Sequence, residues 1–314
     1  MDLSPLSISD IQKSLALQFR GLLNDVHPLL CQDIVRALEL SHSLLTSLPT
    51  EQDLPSALSG AWALSIVLCT QYLNQDIEQE YAGNLAVVAE CWMAALDFID
   101  DLQDEDVTPV IQELGRARTQ SVVLALQLLA QKAILFAPSR EGSPDALKLH
   151  AAHMLLEKTL VSLGGQHRDM LVESYAANAV SLEECLEITA AKSGALVSLA
   201  LGFAALVAEV SEEVQHIVDA LGPLLGIYHQ LTNDCTDVLR ADKSDLARGK
   251  KTLPIILMNQ YGDQKGLAAA RSMTLLYRER ALNQLVLLET CLGRPMFPLL
   301  RHTLDVAHVE NLNL

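Results

Sequence analysis

Apolar residues along this chain recur at three- and four-residue spacing, and few segments alternate as strands do. A capped amphipathic helix is predicted over residues 8–24, with Ser9 and Asp10 at its start. A second follows Pro28 to about Leu48, and the Leu54-Pro55 turn opens a third, Ser56 to about Gln75. Tyr81 to Asp101 forms the next, and its centre, Leu85 to Leu96, has the apolar density of a buried helix. Pro109 begins another, reaching about Phe136, and Pro138 to Pro144 is the clearest loop. Helices are then predicted over 145–177, 182–208 and 211–240, followed by a charged loop from Asp242 to Lys251. The stretch 253–306 is helical, with breaks near Gly262 and Gly293 to Pro295. No repeat, low-complexity segment or long linker divides the chain, so the pattern predicts one all-α domain over residues 1–314.

Composition sharpens this picture. Half of the 314 residues are hydrophobic, enough for a large core. The net charge of −17 argues against nucleic acid or an anionic membrane surface as partner. The six cysteines are dispersed without a CxxC pair, which suits reduced thiols and a cytoplasmic protein. The opening MDLSPLSISD has neither the basic start nor the apolar core of a signal peptide. The longest uncharged run, Ser193 to Ala208, falls short of the roughly 20 residues of a spanning helix, so no stable membrane anchor is expected.

Two acidic stretches carry the candidate chemistry. Asp97, Asp100, Asp101 and Asp104 fall along one helix face, where like charges repel unless cations neutralise them. Their oxygen-only character suits a hard ion such as Mg²⁺. The competing reading is a solvated acidic helix end. A second helix offers Gln230, Asn233, Asp234 and Asp237, with Lys243, Arg248, Lys250 and Lys251 just beyond. Two carboxylate clusters with nearby lysines point to metal ions bridging acidic side chains to a phosphate.

These residues resemble the trans-prenyl diphosphate synthases and the class I terpene synthases of the same fold. Asp100, Asp101 and Asp104 match the first aspartate-rich motif, DDxxD, and Asn233, Asp234 and Asp237 are similar to the second. Gly165, Gln166 and Asp169 match the family's GQxxD, and Lys192-Ser193 looks like its Lys-Thr pair. Ser244, Asp245, Gly249, Lys250, Thr252, Leu253 and Pro254 match SDxxxGKxTLP. The matches run in the family's order over roughly residues 50–260. The resemblance implies an isoprenoid synthase helical bundle around a central active-site cavity, and a homodimer. It further implies Mg²⁺ bound by Asp100, Asp101, Asp104, Asn233, Asp234 and Asp237, and a prenyl diphosphate contacted by Lys192, Gln166, Gln230 and Lys250.

Departures from the family pattern bear on the subclass. The basic GG-K-R-x-R-P segment that binds isopentenyl diphosphate corresponds to Leu54 to Trp62, which has no basic residue. Val107-Thr108-Pro109 stands where an Arg-Arg-Gly would follow the first motif, and Met93 replaces a histidine. Arg116 and Arg118 lie further along than that pair. The expectation is therefore a terpene synthase or cyclase that ionises one prenyl diphosphate. The alternatives are elongation with isopentenyl diphosphate, prenyl transfer to a non-isoprenoid acceptor such as a peptide, and a non-catalytic subunit.

Overall fold

The apolar run Leu85 to Leu96 is the centre of a 25-residue helix in a computed structural model of the chain. The structure describes residues 8–46, 62–76, 79–137, 145–176, 178–238, 249–295 and 304, and among these it contains helices and no strand. Its contacts group into two compact units, Met1–Ala152 with Phe203–Glu209, and His153–Gly202 with Val210–Leu314.

In the first unit, α1 (Ile8–Leu22) buries Ile11, Leu15, Phe19 and Leu22, the helical spacing read from sequence. Lys132 closes its carboxyl end by donating to Leu22 O at 2.9 Å, and it also pairs with Asp25. Helix α2 runs Pro28–Leu40, with Pro28 in its first turn and His27 Nδ1 accepting from the Leu29 amide. It stops eight residues before the predicted end, because Ser41 bonds back to Leu38 O and His42 takes a left-handed φ of 57°. Leu44 and Leu45 continue the apolar pattern, but they are buried from a turn.

The buried Glu90 explains that turn. It lies on α4 (Gln79–Gln103) and accepts from Ser43 Oγ at 2.8 Å, the Leu44 amide at 3.3 Å and the Ala63 amide at 3.0 Å. One carboxylate thus ties the turn and the start of α3 (Trp62–Leu73) to α4. Helix α4 is apolar nearly all round, as a central helix is, and packs along α3, α1 and α5 (Pro109–Phe136). Helix α5 is interrupted at Gly115, whose φ of 75° lies outside helical space. On its outer face Leu124, Leu128, Leu135 and Phe136 are exposed.

The second unit holds most of α6 (Ala146–Glu173), α7 (Leu182–Thr189), a π-helical turn (Ala190–Gly194) and the start of α8 (Ala195–Ala208). It continues with α9 (Glu212–Asp237), α10 (Leu253–Tyr261) and α11 (Asp263–Leu292). Ser181 and Ser211 cap α7 and α9 through their hydroxyls, and Gly262 and Gly293 end α10 and α11 at positive φ. Val172, Ile188, Ile227, Leu231, Leu253 and Leu257 belong to its core.

Four of the six free cysteines, Cys69, Cys91, Cys185 and Cys235, are buried, and burial raises each thiol well above its usual range. Ala82–Gln103, Pro109–Phe136 and Leu182–Ala208 are each long and apolar enough to cross a membrane, which corrects the estimate from uncharged runs alone. In the first, 78% of the most apolar window is buried inside the protein, so its apolarity serves the core.

Candidate active site

The first acidic cluster forms at the carboxyl end of α4. Its last helical turn presents Asp100 and Asp101, and the Asp104 amide donates to Asp100 O at 2.8 Å, carrying the helical path past Gln103. Glu105 then takes a left-handed φ of 57° and ends it. Asp100, Asp101 and Asp104 are half-buried. Carbonyl groups already concentrate negative charge at this end of a helix, so three carboxylates here are at the unfavourable pole. One turn earlier Asp97 reaches solvent at its surface yet is crowded by surrounding protein. Burial, with Asp100, Asp101 and Glu90 nearby, raises its carboxyl to about 7.

Arg116 and Arg118 behave differently from what their distance along the chain suggests. The break at Gly115 lets Arg116 donate back to Leu102 O at 3.0 Å, which sets a guanidinium at the end of the first motif. Arg118 is instead paired with Asp33 of α2, beside the two-pronged pair of Arg36 with Glu113.

The second cluster belongs to α9 and to the turn packed beside it. Asp234 is buried, Asn233 and Asp237 are half-buried, and Asp237 is the last residue of the helix, again the negative pole. Gln230, one turn earlier, donates to Asp234 Oδ1 at 2.8 Å and accepts from Ser193 Oγ at 2.6 Å. Ser193 lies in the π turn with Lys192, whose ammonium reaches Asp169 Oδ2 of α6 at 3.2 Å. Asp169 therefore pairs with Lys192, while its neighbour Arg168 turns to Glu187. Gln166 is buried on the same helix.

Two close approaches hold this group together. A Cβ on Gly165 would stand 2.4 Å from the Lys192 amide nitrogen, and one on Gly226 would stand 2.5 Å from Gly194 Cα. Only glycine lets α6 and α9 press against the π turn so tightly. Lys251 anchors the chain after the charged loop, donating to Glu173 O at the end of α6 and to Gly249 O, and Lys250 is half-buried next to it. Lys243, Ser244, Asp245 and Arg248, like the segment Leu54 to Gly60, lie outside the described residues. Among the aromatic side chains, Trp92, Phe98, Phe203 and Tyr228 are buried and Tyr72 is half-buried.

Sequence reasoning missed the π turn, Ser162 beneath it and the role of Glu90. A lone glutamate inside the run 85–96 was the one available signal.

The fold matches that of a geranylgeranyl pyrophosphate synthetase from the archaeon Geoglobus acetivorans. The TM-score is 0.72 at 20% identity, over 97% of this chain and 96% of that one. The structure is thus the all-α isoprenoid synthase fold. The family described as polyprenyl synthetase matches residues 62–282, and the chain belongs to it. A short chain isoprenyl diphosphate synthase of Methanocaldococcus jannaschii is 32% identical over 120 residues, 36% of this chain and 36% of that protein. The tryptophan prenyltransferase ComQ of Bacillus spizizenii is 24% identical over 177 residues, 56% of this chain and 58% of that protein. The chain thus spans between about a third and three-fifths of the length of these curated relatives. Both names describe prenyl-diphosphate synthesis or prenyl transfer, which favours the transferase alternative over the expected terpene cyclase.

Proposed function

We propose that the chain is a Mg²⁺-dependent prenyltransferase that ionises an allylic prenyl diphosphate and joins its prenyl group to isopentenyl diphosphate. The observation that carries this reading is the placement of Asp100 and Asp101, with Asp104 just beyond, at the negative end of one helix and of Asp237 at the negative end of another, positions that cations would relieve.

The donor set fits Mg²⁺. Among the described residues no three His, Cys, Asp or Glu side chains converge into a ready-made metal cage. Mg²⁺ is ordinarily held by one or two carboxylates together with water and substrate phosphates, so separate oxygen clusters suit it. Asp100, Asp101 and Asp104, and Asn233, Asp234 and Asp237, would hold it. When bound it would neutralise the departing diphosphate. Lys192, Gln166, Gln230 and Lys250 contact that diphosphate or orient its ligands. Lys192 is kept in place by Asp169, and Asp234 by the amide of Gln230. The allylic carbon–oxygen bond breaks and its electron pair leaves with diphosphate. The acceptor double bond attacks the allylic carbon, and the cation so formed on the acceptor gives a proton to the released diphosphate and regains a double bond. Apolar helix faces exclude water from the cation.

Arg116, folded back to Leu102 O, supports isopentenyl diphosphate as acceptor by bringing a cation to the first motif. A second reading, transfer to a non-isoprenoid acceptor, is favoured by the absence of basic residues from Leu54 to Trp62 and by the similarity to a tryptophan prenyltransferase. The exposed row Leu124, Leu128, Leu135 and Phe136 supports a homodimer, and the six free thiols fit a cytoplasmic setting.

The test offers the purified chain Mg²⁺ and allylic diphosphates of increasing length. Each is supplied alone, with isopentenyl diphosphate, or with a tryptophan-containing peptide, and products are analysed by mass spectrometry. A longer diphosphate formed only with isopentenyl diphosphate is the expected result. A prenylated peptide would transfer the assignment to the second reading. A hydrocarbon or alcohol formed without any acceptor would overturn both in favour of cyclisation.

A further inference from the structure

We propose that Ser162 is a positioning residue for Lys192, and that its hydroxyl maintains the π turn that presents this lysine. The inference rests on the reading of Lys192 as a diphosphate contact. Ser162 is buried on α6, and its Oγ donates to Lys192 O at 2.7 Å. One turn along the same face Gly165 admits the backbone of Ala191 and Lys192, and a further turn on Asp169 meets the Lys192 ammonium. A single face of α6 therefore grips one residue at both ends, carbonyl and side chain.

The grip matters because the turn is not α-helical. The Ala195 amide donates to Ala190 O, five residues back, so Ala190 to Gly194 form a widened turn. A widened turn departs from the regular helical ladder, and two of its carbonyls accept from side-chain hydroxyls, one of them from another helix. Lys192 O receives Ser162, and Gly194 O receives Ser198 at 2.8 Å. An α-helix advances about 100° per residue. Collapse of the turn to α-helical form would rotate its residues by about that angle. It would swing Lys192 away from Asp169 and Ser193 away from Gln230. Pro223 and Gly226 of α9 close the opposite side against Gly194, so the turn is held between two helices and its register is decided at α6. Nothing in the local sequence AAKSG demands five-residue spacing, which makes Ser162 and its neighbours the determinant.

The test compares wild type, Ser162→Ala, Ser162→Thr, Lys192→Ala and the Ser162→Ala/Lys192→Ala double variant, all as full chains. Amide exchange over residues 186–198 is followed by mass spectrometry, and binding of inorganic pyrophosphate with Mg²⁺ by calorimetry. Ser162→Ala is expected to exchange about tenfold faster over that peptide and to bind pyrophosphate about tenfold more weakly. Ser162→Thr keeps the hydroxyl and restores both. In the Lys192→Ala background, removing the hydroxyl brings no further loss of affinity, because the two act as a unit. Unchanged exchange and affinity in Ser162→Ala would overturn the inference. So would an additive loss in the double variant, which would mean a general packing role. Failure of the wild type to bind pyrophosphate would sink the functional reading instead, while the exchange comparison still decides whether Ser162 braces the turn.

Discussion

Removing Glu90 tests how the helix bearing the first acidic cluster is fixed in place. Its carboxylate accepts three bonds, at 2.8, 3.0 and 3.3 Å, from one hydroxyl and two backbone amides. Burial raises the carboxyl above its ordinary range, and the Ala63, Ser43 and Leu44 donors pull it back. All three partners donate, so the geometry suits the ionised form. Glu90→Ala would leave three donors unsatisfied at about 1–2 kcal/mol each, a gross loss of about 3–6 kcal/mol. Relief from burying a carboxylate offsets about 1–2 kcal/mol of this. The expected net loss is about 2–4 kcal/mol. At about 2 °C per kcal/mol for a chain of this size, melting falls by about 4–8 °C. Thermal unfolding followed by circular dichroism reads this directly. Ser43→Ala, which removes one partner, should cost about 1 kcal/mol and be far less harmful in the Glu90→Ala background. A Glu90→Ala variant melting within 1 °C of wild type would refute the reasoning, because it would mean that the turn, α3 and α4 hold together without the carboxylate.

Other outcomes follow from the acidic clusters and the outer helix face. Asp97 ionises near 4 when unfolded and near 7 when folded, so its drag on stability is absent below 4, grows from 4 to 7, and is full above 7. Asp97→Asn should therefore melt about 2 °C higher than wild type at pH 8 without metal, about 1 kcal/mol after allowing for its access to water, and the same at pH 4; equal melting at pH 8 would refute the cost of burying this charge beside Asp100 and Asp101. Mg²⁺ should raise the melting temperature of wild type more than that of Asp100→Asn, whereas equal shifts would mean that the ion binds elsewhere. In the product assay, Asp100→Ala and Asn233→Ala should each lower turnover on the order of a hundredfold or more, and retained activity would remove those residues from the metal set. Leu128→Glu should convert a dimer to a monomer in light scattering, since it places charge on the exposed apolar row of α5, and an unchanged mass would direct the dimer contact to another face.

Chain-local signals were readable and contact-dependent ones were not. Pro28, Pro109, Gly262 and Gly293 mark helix ends by their own backbone chemistry, and the structure ends or starts helices there. The end of α2 was misread because Leu44 and Leu45 extend the apolar rhythm, while the turn that buries them is held by Glu90 from another helix. Arg116 looked remote from the first motif when distance was counted in residues. A positive φ at Gly115 shortens that distance in space. The acidic residues are legible because helical spacing alone aligns them. The π turn has no sequence rule, since Gly165, Ser162 and Gly226 impose it from outside. Subclass was the hardest reading, for a transferase and a cyclase share the ionising groups and differ in how the acceptor is held.

The buried thiols turn the protein into its own clock. Cys69 and Cys91 lie in the first unit, Cys185 and Cys235 in the second, and burial suppresses the ionisation of all four, leaving them almost inert to alkylating reagents while the chain is folded. Cys31 and Cys291, half-buried, should react before them, although burial and the neighbouring Glu213 raise the Cys291 thiol as well. Each later adduct records an opening event, and its position along the chain tells which unit opened. Mass spectrometry of a single alkylation time course can thus separate the breathing of the two units without introducing a label.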